Sequence, residues 1–169
     1  MIILNGFPKN DEKYIRLIDF FKEVLNICDK LNIYPVIDGS LAVFAYTKNQ
    51  DMEINDIDLS VSEMEFPIII KELEKRGISY KLREWHVLEV IKDDLKIGFG
   101  SSEYWAKGLP TDYETLHIGN YRIKMLSLTG LIELYRRAMD DRAKRINENI
   151  NEKIKYMWLK NKYELLIKL

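Results

Sequence analysis

Two short stretches carry residues whose types and spacing can do chemistry: Gly39-Ser40, and the aspartates Asp56 and Asp58 one residue apart. Gly39-Ser40 stands ahead of Leu41-Ala42-Val43-Phe44-Ala45-Tyr46, an unbroken apolar run that reads as a short buried helix capped by Ser40. A helix N-terminus presents unpaired N–H groups and a positive dipole end, and a glycine before it lets a phosphate approach the backbone closely. That makes an anion cradle. In Asp56-Ile57-Asp58-Leu59-Ser60-Val61 polar and apolar side chains alternate strictly, the period of a half-buried strand, so Asp56, Asp58 and Ser60 share one face. Two carboxylates so placed form a platform over which a pair of Mg2+ ions can be shared. Cradle and platform against one sheet edge meet the requirement for in-line displacement at phosphorus.

These stretches need elements to hold them. Residues 11–31 carry Tyr14, Leu17, Ile18, Phe21, Val24, Leu25, Cys28 and Leu31 at the three-and-four spacing of a helix with one buried face, capped by Asn10 or Asp11. Residues 33–37 read as a first strand, with Pro35 near its start. A helix from about Phe66 to Arg76 ends at Gly77, and residues 78–82, 86–91 and 95–100 read as three more strands, the last two a hairpin around Asp93-Asp94. Residues 101–120 look loop-like, 121–125 strand-like, and from Ser127 the pattern is helical, with weak breaks near Gly130 and residues 147–151. The expectation is one α/β (α+β) domain over 1–169: a mixed β-sheet with flanking helices over 1–125 and a C-terminal helical segment over 126–169.

Length and composition narrow the function classes. A chain of 169 residues, 47% apolar, can build a core without disulfides or a structural metal. Its one cysteine, Cys28, excludes an internal disulfide and any multi-thiolate zinc site, and reads as a small buried hydrophobe. The longest stretch without a Lys, Arg, Asp or Glu is Gly39 to Thr47, far short of the ~20 residues needed to cross a bilayer. With no secretory signature at its start, the chain is expected to be cytoplasmic. The net charge of -1 hides a polarity: residues 1–121 carry 14 basic and 21 acidic side chains, residues 122–169 carry 12 and 6. An acidic front with a basic end suits divalent cations at one place and a polyanion at another; a solvated basic helix face is the alternative.

On Gly39-Ser40 followed by Asn55-Asp56-Ile57-Asp58-Leu59, the sequence resembles the nucleotidyltransferase superfamily of polymerase beta, the aminoglycoside nucleotidyltransferases and the minimal nucleotidyltransferases. The resemblance implies that Gly39 and Ser40 hold the phosphates of an NTP, that Asp56 and Asp58 bind Mg2+ (or Mn2+), and that a nucleoside monophosphate passes to a hydroxyl of an acceptor, a small molecule or RNA. It also exposes departures. The arginine usual after the first helix is absent, and Lys48 is the cation available in its place. The family's third carboxylate, the usual general base, falls at Gly98. A two-residue turn at Asp93-Asp94 pairs Glu89 with Gly98, which makes Glu89 the expected replacement. Without one, catalysis is badly weakened, and a catalytically silent nucleotide-binding or interaction module, or a toxin-antitoxin component acting on RNA, becomes the rival reading.

Lesser candidates are Trp85, Tyr104 and Trp105, which could stack on a base or sugar near the hairpin's rim, and the basic set Arg136, Arg137, Arg142, Lys144 and Arg145, which could meet phosphates. His86 and His117 are isolated and read as structural or surface residues.

Overall fold

A computed structural model describes residues 1–110 and 112–169. A two-residue strand, β1 (Ile2–Ile3), precedes the long helix α1 (Asp11–Leu31). The buried stripe of α1 is Tyr14, Leu17, Phe20, Phe21, Val24, Leu25, Ile27 and Cys28. Asn10 stands at its N-terminus but caps it with no side-chain bond; its amide instead clamps Ile54, donating to the carbonyl at 2.7 Å and accepting from the N–H at 3.0 Å. Asn32, at φ 54°, closes α1, and Ile33 N–H still donates to Cys28 O. The chain is therefore free to pair only from Val36. The first full strand is β2 (Val36–Asp38), shorter and later than residues 33–37.

Helix α2 (Gly39–Thr47) follows β2 without a loop and is buried along Gly39 to Ala45. Its N-cap position is Asp38, so Ser40 lies inside the first turn and does not cap it. Next come β3 (Asp56–Val61), a 3-10 turn at Glu63–Glu65, α3 (Phe66–Arg76) closed by Gly77 at φ 67°, and the strands β4 (Ser79–Arg83), β5 (Val87–Lys92) and β6 (Leu95–Ser101). The short helix α4 (Ser102–Trp105) and the strand β7 (Tyr113–Ile118) replace most of the loop expected over 101–120; Thr111 lies outside the described residues. Strand β7 is hard to read from sequence because only Leu116 and Ile118 are buried in it. A two-residue turn at Gly119-Asn120 joins it to β8 (Tyr121–Leu126).

The helices α5 (Leu128–Ala143) and α6 (Ile150–Ile167) end the chain. The break expected near Gly130 does not occur. That residue sits in the first turn of α5, where its N–H donates to Ser127 Oγ, and a Cβ there would stand 3.6 Å from Pro110 O. Among the described residues no helix is long and apolar enough to cross a membrane.

The eight strands form one mixed sheet in the order β1-β7-β8-β2-β3-β6-β5-β4. Centrally, β3 runs antiparallel to β2 and parallel to β6. In register, Ile57 with Ile97 and Leu59 with Phe99 face the core, under α1 and α3. Full burial of each such side chain contributes ~1.5–3 kcal/mol. The alternate positions fall on the other face in one row: Asp38 beside Asp58, Asp58 beside Gly98, Gly98 beside Glu89. The hairpin register, Glu89 opposite Gly98, is the one that the two-residue turn requires.

Candidate active site

The row of polar side chains borders two clefts, one lined by Asp56 and the other by Asp58. Gly39 is the pivot. It has φ +69°, a conformation glycine adopts at no steric cost, and a Cβ there would run into the Asp58 carboxylate. Sequence reasoning asked for glycine so that a phosphate could approach; here it also lets the start of α2 press against Asp58.

One cleft, about 510 Å³, is lined by Ser40, Asn55, Asp56, Trp158, Asn161 and Lys162 among others. Lys162, on α6, donates to Ser40 Oγ at 2.6 Å. Burial lowers the pKa of this ammonium, while Asp58 and Asp56 draw it back up. The second cleft, about 310 Å³, holds Asp38, Gly39, Asp58, Gly98, Trp85 and Trp105. Asp38 accepts a hydrogen bond from Ser60 Oγ at 2.6 Å, and burial raises its pKa to about 6 against an ordinary 3.8, the Ser60 bond opposing. Burial, Asp56 and Asp38, in that order, push Asp58 well above the usual carboxylate range, with Lys162 opposing. The Tyr135 hydroxyl, buried on α5 near Ser40 and the carboxylates, is likewise pushed well above its ordinary value, chiefly by burial.

This is a concentration of negative charge with the half-buried Lys162 as counter-cation. Asp56 and Asp58 offer hard oxygen donors of the type Mg2+ accepts, a cation that keeps several waters and shares its shell with substrate phosphates. The residues fit that role. Among the described residues no three acidic, histidine or cysteine side chains form a ready-made cage, so the remaining donors would come from phosphate and water.

Other expected participants are elsewhere. Lys48 is at the far end of α2 from Ser40, at φ 54°, where its ammonium donates to Ile3 O at 2.7 Å. The cation at the cradle is Lys162. Glu89 does face the same side as Asp58, but Arg83 Nη2 holds its carboxylate at 2.9 Å. Since β4 lies beyond β5 from β6, that bond draws Glu89 away from Gly98. The carboxylate brought to Asp58 is Asp38. His86 bonds to Glu63 through Nδ1 at 2.9 Å and stacks on Tyr104, whereas Trp85 and Trp105 wall the second cleft. The arginines of the basic set, on α5 and just past its end, are paired: Arg136 with Glu133 and Asp140, Arg137 with Glu133, Arg142 with Glu152, Arg145 with Asp141.

Sequence reasoning misses Lys162 and Asp38, though each leaves a signal. Lys162 interrupts the stripe of half-buried Leu159 and Tyr163 and buried Leu166 along α6. Asp38 is a charged residue in a strand whose preceding residue, Ile37, is fully buried. A turn residue explains it cheaply, and its pairing with Asp58 depends on strand order.

A mixed sheet with a Gly-Ser turn opening a helix and an Asp-x-Asp strand beside it has the nucleotidyltransferase fold. More narrowly, residues 20–145 match the model of the aminoglycoside-2''-adenylyltransferase family, and the chain belongs to that family. No curated protein matches it in sequence. Among solved structures it is similar to the solution structure of the antibiotic-resistance factor ANT(2'')-Ia, at a TM-score of 0.59 and 16% identity over 88% of each chain. The crystal structure of ANT(2'')-Ia with adenylyl-2''-tobramycin gives 0.54 and 16%, over 88% of this chain and 93% of that one. An antigenic nucleotidyltransferase-like protein from Paracoccidioides brasiliensis gives 0.57 at 13% identity, over 96% of this chain and 78% of that one.

Proposed function

We propose that this protein transfers a nucleoside monophosphate from an NTP to a hydroxyl group of a small-molecule acceptor, with Mg2+. The observation that carries the reading is the position of Asp56 and Asp58 between two clefts, one marked by Ser40 and Lys162, the other by Asp38 and Gly98. In-line displacement needs the nucleophile and the leaving group on opposite sides of the phosphorus. Two clefts, one lined by Asp56 and the other by Asp58, would supply those sides.

Ser40, the amides at the start of α2 and Lys162 hold the β- and γ-phosphates, so pyrophosphate departs on their side. Lys162 then exchanges its bond to Ser40 for a charge-assisted bond to phosphate. Asp56 and Asp58 would hold the metal, which when bound would supply positive charge to offset that of the phosphates. From the other cleft the acceptor O–H gives its proton to Asp38, whose second oxygen is free of Ser60, as its oxygen bonds to the α-phosphorus and the bond to pyrophosphate breaks. A carboxyl near 6 is ionised at neutral pH and basic enough to take that proton. Asp38 in this role answers the objection raised by Gly98, and Glu89 instead steadies Arg83 over the Trp85 ring.

Incubation with NTP labelled at the α-phosphate, Mg2+ and hydroxylated acceptors tests the reading. Label should reach the acceptor with the native chain and not with Asp58→Asn. A silent module would bind NTP and transfer nothing.

A further inference from the structure

The cleft on the Asp58 side has a character that its place in the family does not foretell. Part of its lining is backbone without side chains. Gly98 and Gly100, two apart on β6, turn no side chain into it, and Trp105 lies so close over Gly100 that a Cβ there would stand 3.3 Å from the ring. Trp105 Nε1 donates to the Trp85 backbone carbonyl at 3.1 Å, which fixes the Trp105 indole beside residue 85, and both indoles line the cleft. Leu134 and Ala138 of α5 close the opposite side.

Away from Asp38 and Asp58 charge in this cleft is sparse, and Arg83, which lies over the Trp85 ring, is paired with Glu89. The lining carboxylates are Asp38 and Asp58, both committed at the reaction centre, and the lining cation, Arg142, is bound to Glu152 at 2.6 Å. A polycationic amino sugar would bring several ammonium groups with no lining carboxylate beyond Asp38 and Asp58 to receive them, and desolvating an unpaired charge is costly. An RNA would need free cations to meet its phosphates, and Arg136, Arg137, Arg142 and Arg145 are paired with carboxylates. Two indoles lining the cleft beside Gly98 and Gly100 offer instead apolar surface for the face of a ring. At about 310 Å³ the space is at the small end of small-molecule sites.

We infer that the acceptor is a neutral, hydroxyl-bearing small molecule with an apolar ring face, packed between the Trp85–Trp105 wall and α5. This inference rests on the reading of the protein as a nucleotidyltransferase, and the three tryptophans allow the two to be tested apart. Trp158 lines the nucleotide cleft, Trp85 and Trp105 the acceptor cleft.

In a Trp158→Phe variant, phenyl β-D-glucoside and related neutral aryl glycosides should change the remaining tryptophan fluorescence saturably, and tobramycin should not. In the native chain, NTP with Mg2+ should change the Trp158 signal whatever the acceptor. Trp105→Leu should weaken the aryl glycoside response tenfold or more. Ala138→Phe, which fills the cleft from α5 without altering the sheet, should do the same if the leucine variant fails to fold. A saturable response to tobramycin tighter than that to any aryl glycoside overturns the inference, as does no response to the aryl glycosides. If NTP and Mg2+ leave Trp158 unaffected, it is the nucleotidyltransferase reading that fails.

Discussion

Replacing Asp38 by asparagine should make the metal-free protein more stable while removing its activity. Burial lifts this carboxyl from 3.8 to about 6. At ~1.4 kcal/mol for each pH unit between the two values, the ionised group costs the fold on the order of 3 kcal/mol at neutral pH. The folded chain binds this proton more tightly than the unfolded chain, so the cost is absent below about pH 4, grows as pH rises toward 6, and is complete above it. An asparagine in its place would be neutral throughout and could still accept the Ser60 hydrogen bond. Asp58, whose carboxyl is pushed up partly by Asp38, would also be relieved, which adds to the gain. Urea and thermal unfolding of native and Asp38→Asn protein should be measured in EDTA between pH 4 and pH 8. The variant's advantage should be near zero at the acid end and reach about 3 kcal/mol at neutral pH, roughly 6–12 °C in Tm for a chain of this size. Label transfer should fall by ~10² or more, as expected for loss of a general base. A variant less stable than the native chain at pH 7.5, or an advantage that does not change with pH, would refute the claim that Asp38 is a buried charge kept for its chemistry.

Lys162→Met should weaken NTP binding roughly 10- to 100-fold, the worth of a charge-assisted hydrogen bond, as measured by calorimetric titration with a non-hydrolysable NTP analogue and Mg2+. NTP with Mg2+ at 100 times Kd should stabilise the native chain by ~2.7 kcal/mol. Asp56→Ala, at an exposed strand start, should remove the metal-dependent part of that gain without lowering the stability of the free protein; loss of folding would mark the aspartate as structural. Gly39→Ala combines a positive φ with a collision against Asp58, so it should cost the fold ~1–3 kcal/mol or more, seen as an earlier urea midpoint, and abolish transfer.

Much of the frame is legible because it rests on local rules. The stripe along residues 11–31, the glycine that stops α3 at residue 77 and the alternation through Asp56–Val61 each reappear in the structure. The hairpin register follows from a two-residue turn, which correctly sets Glu89 across from Gly98. What local rules do not reach is the pull of neighbours outside the hairpin. Arg83, one strand further out, takes the Glu89 carboxylate, and Asp38 meets Asp58 only because β2 and β3 are antiparallel neighbours. Lys162 comes from 122 positions beyond Ser40, a separation that no motif spans. Lys48 is close to the cradle in sequence, yet the length of α2 carries it away. Strand β7 depends on a partner, β8, that gives its two buried residues a sheet to join.

The central claim is that the bond broken lies between the α- and β-phosphorus atoms and that the α-phosphoryl group moves to a hydroxyl. Parallel reactions with α-labelled and γ-labelled ATP, Mg2+ and a pooled set of hydroxylated small molecules, aryl glycosides and tobramycin among them, test it most directly. The account predicts that α-label appears on an acceptor, that γ-label leaves as pyrophosphate in equal amount, and that Asp58→Asn abolishes both. Transfer of the γ-label to an acceptor, release of orthophosphate alone, or no transfer of α-label to any member of the set would contradict it.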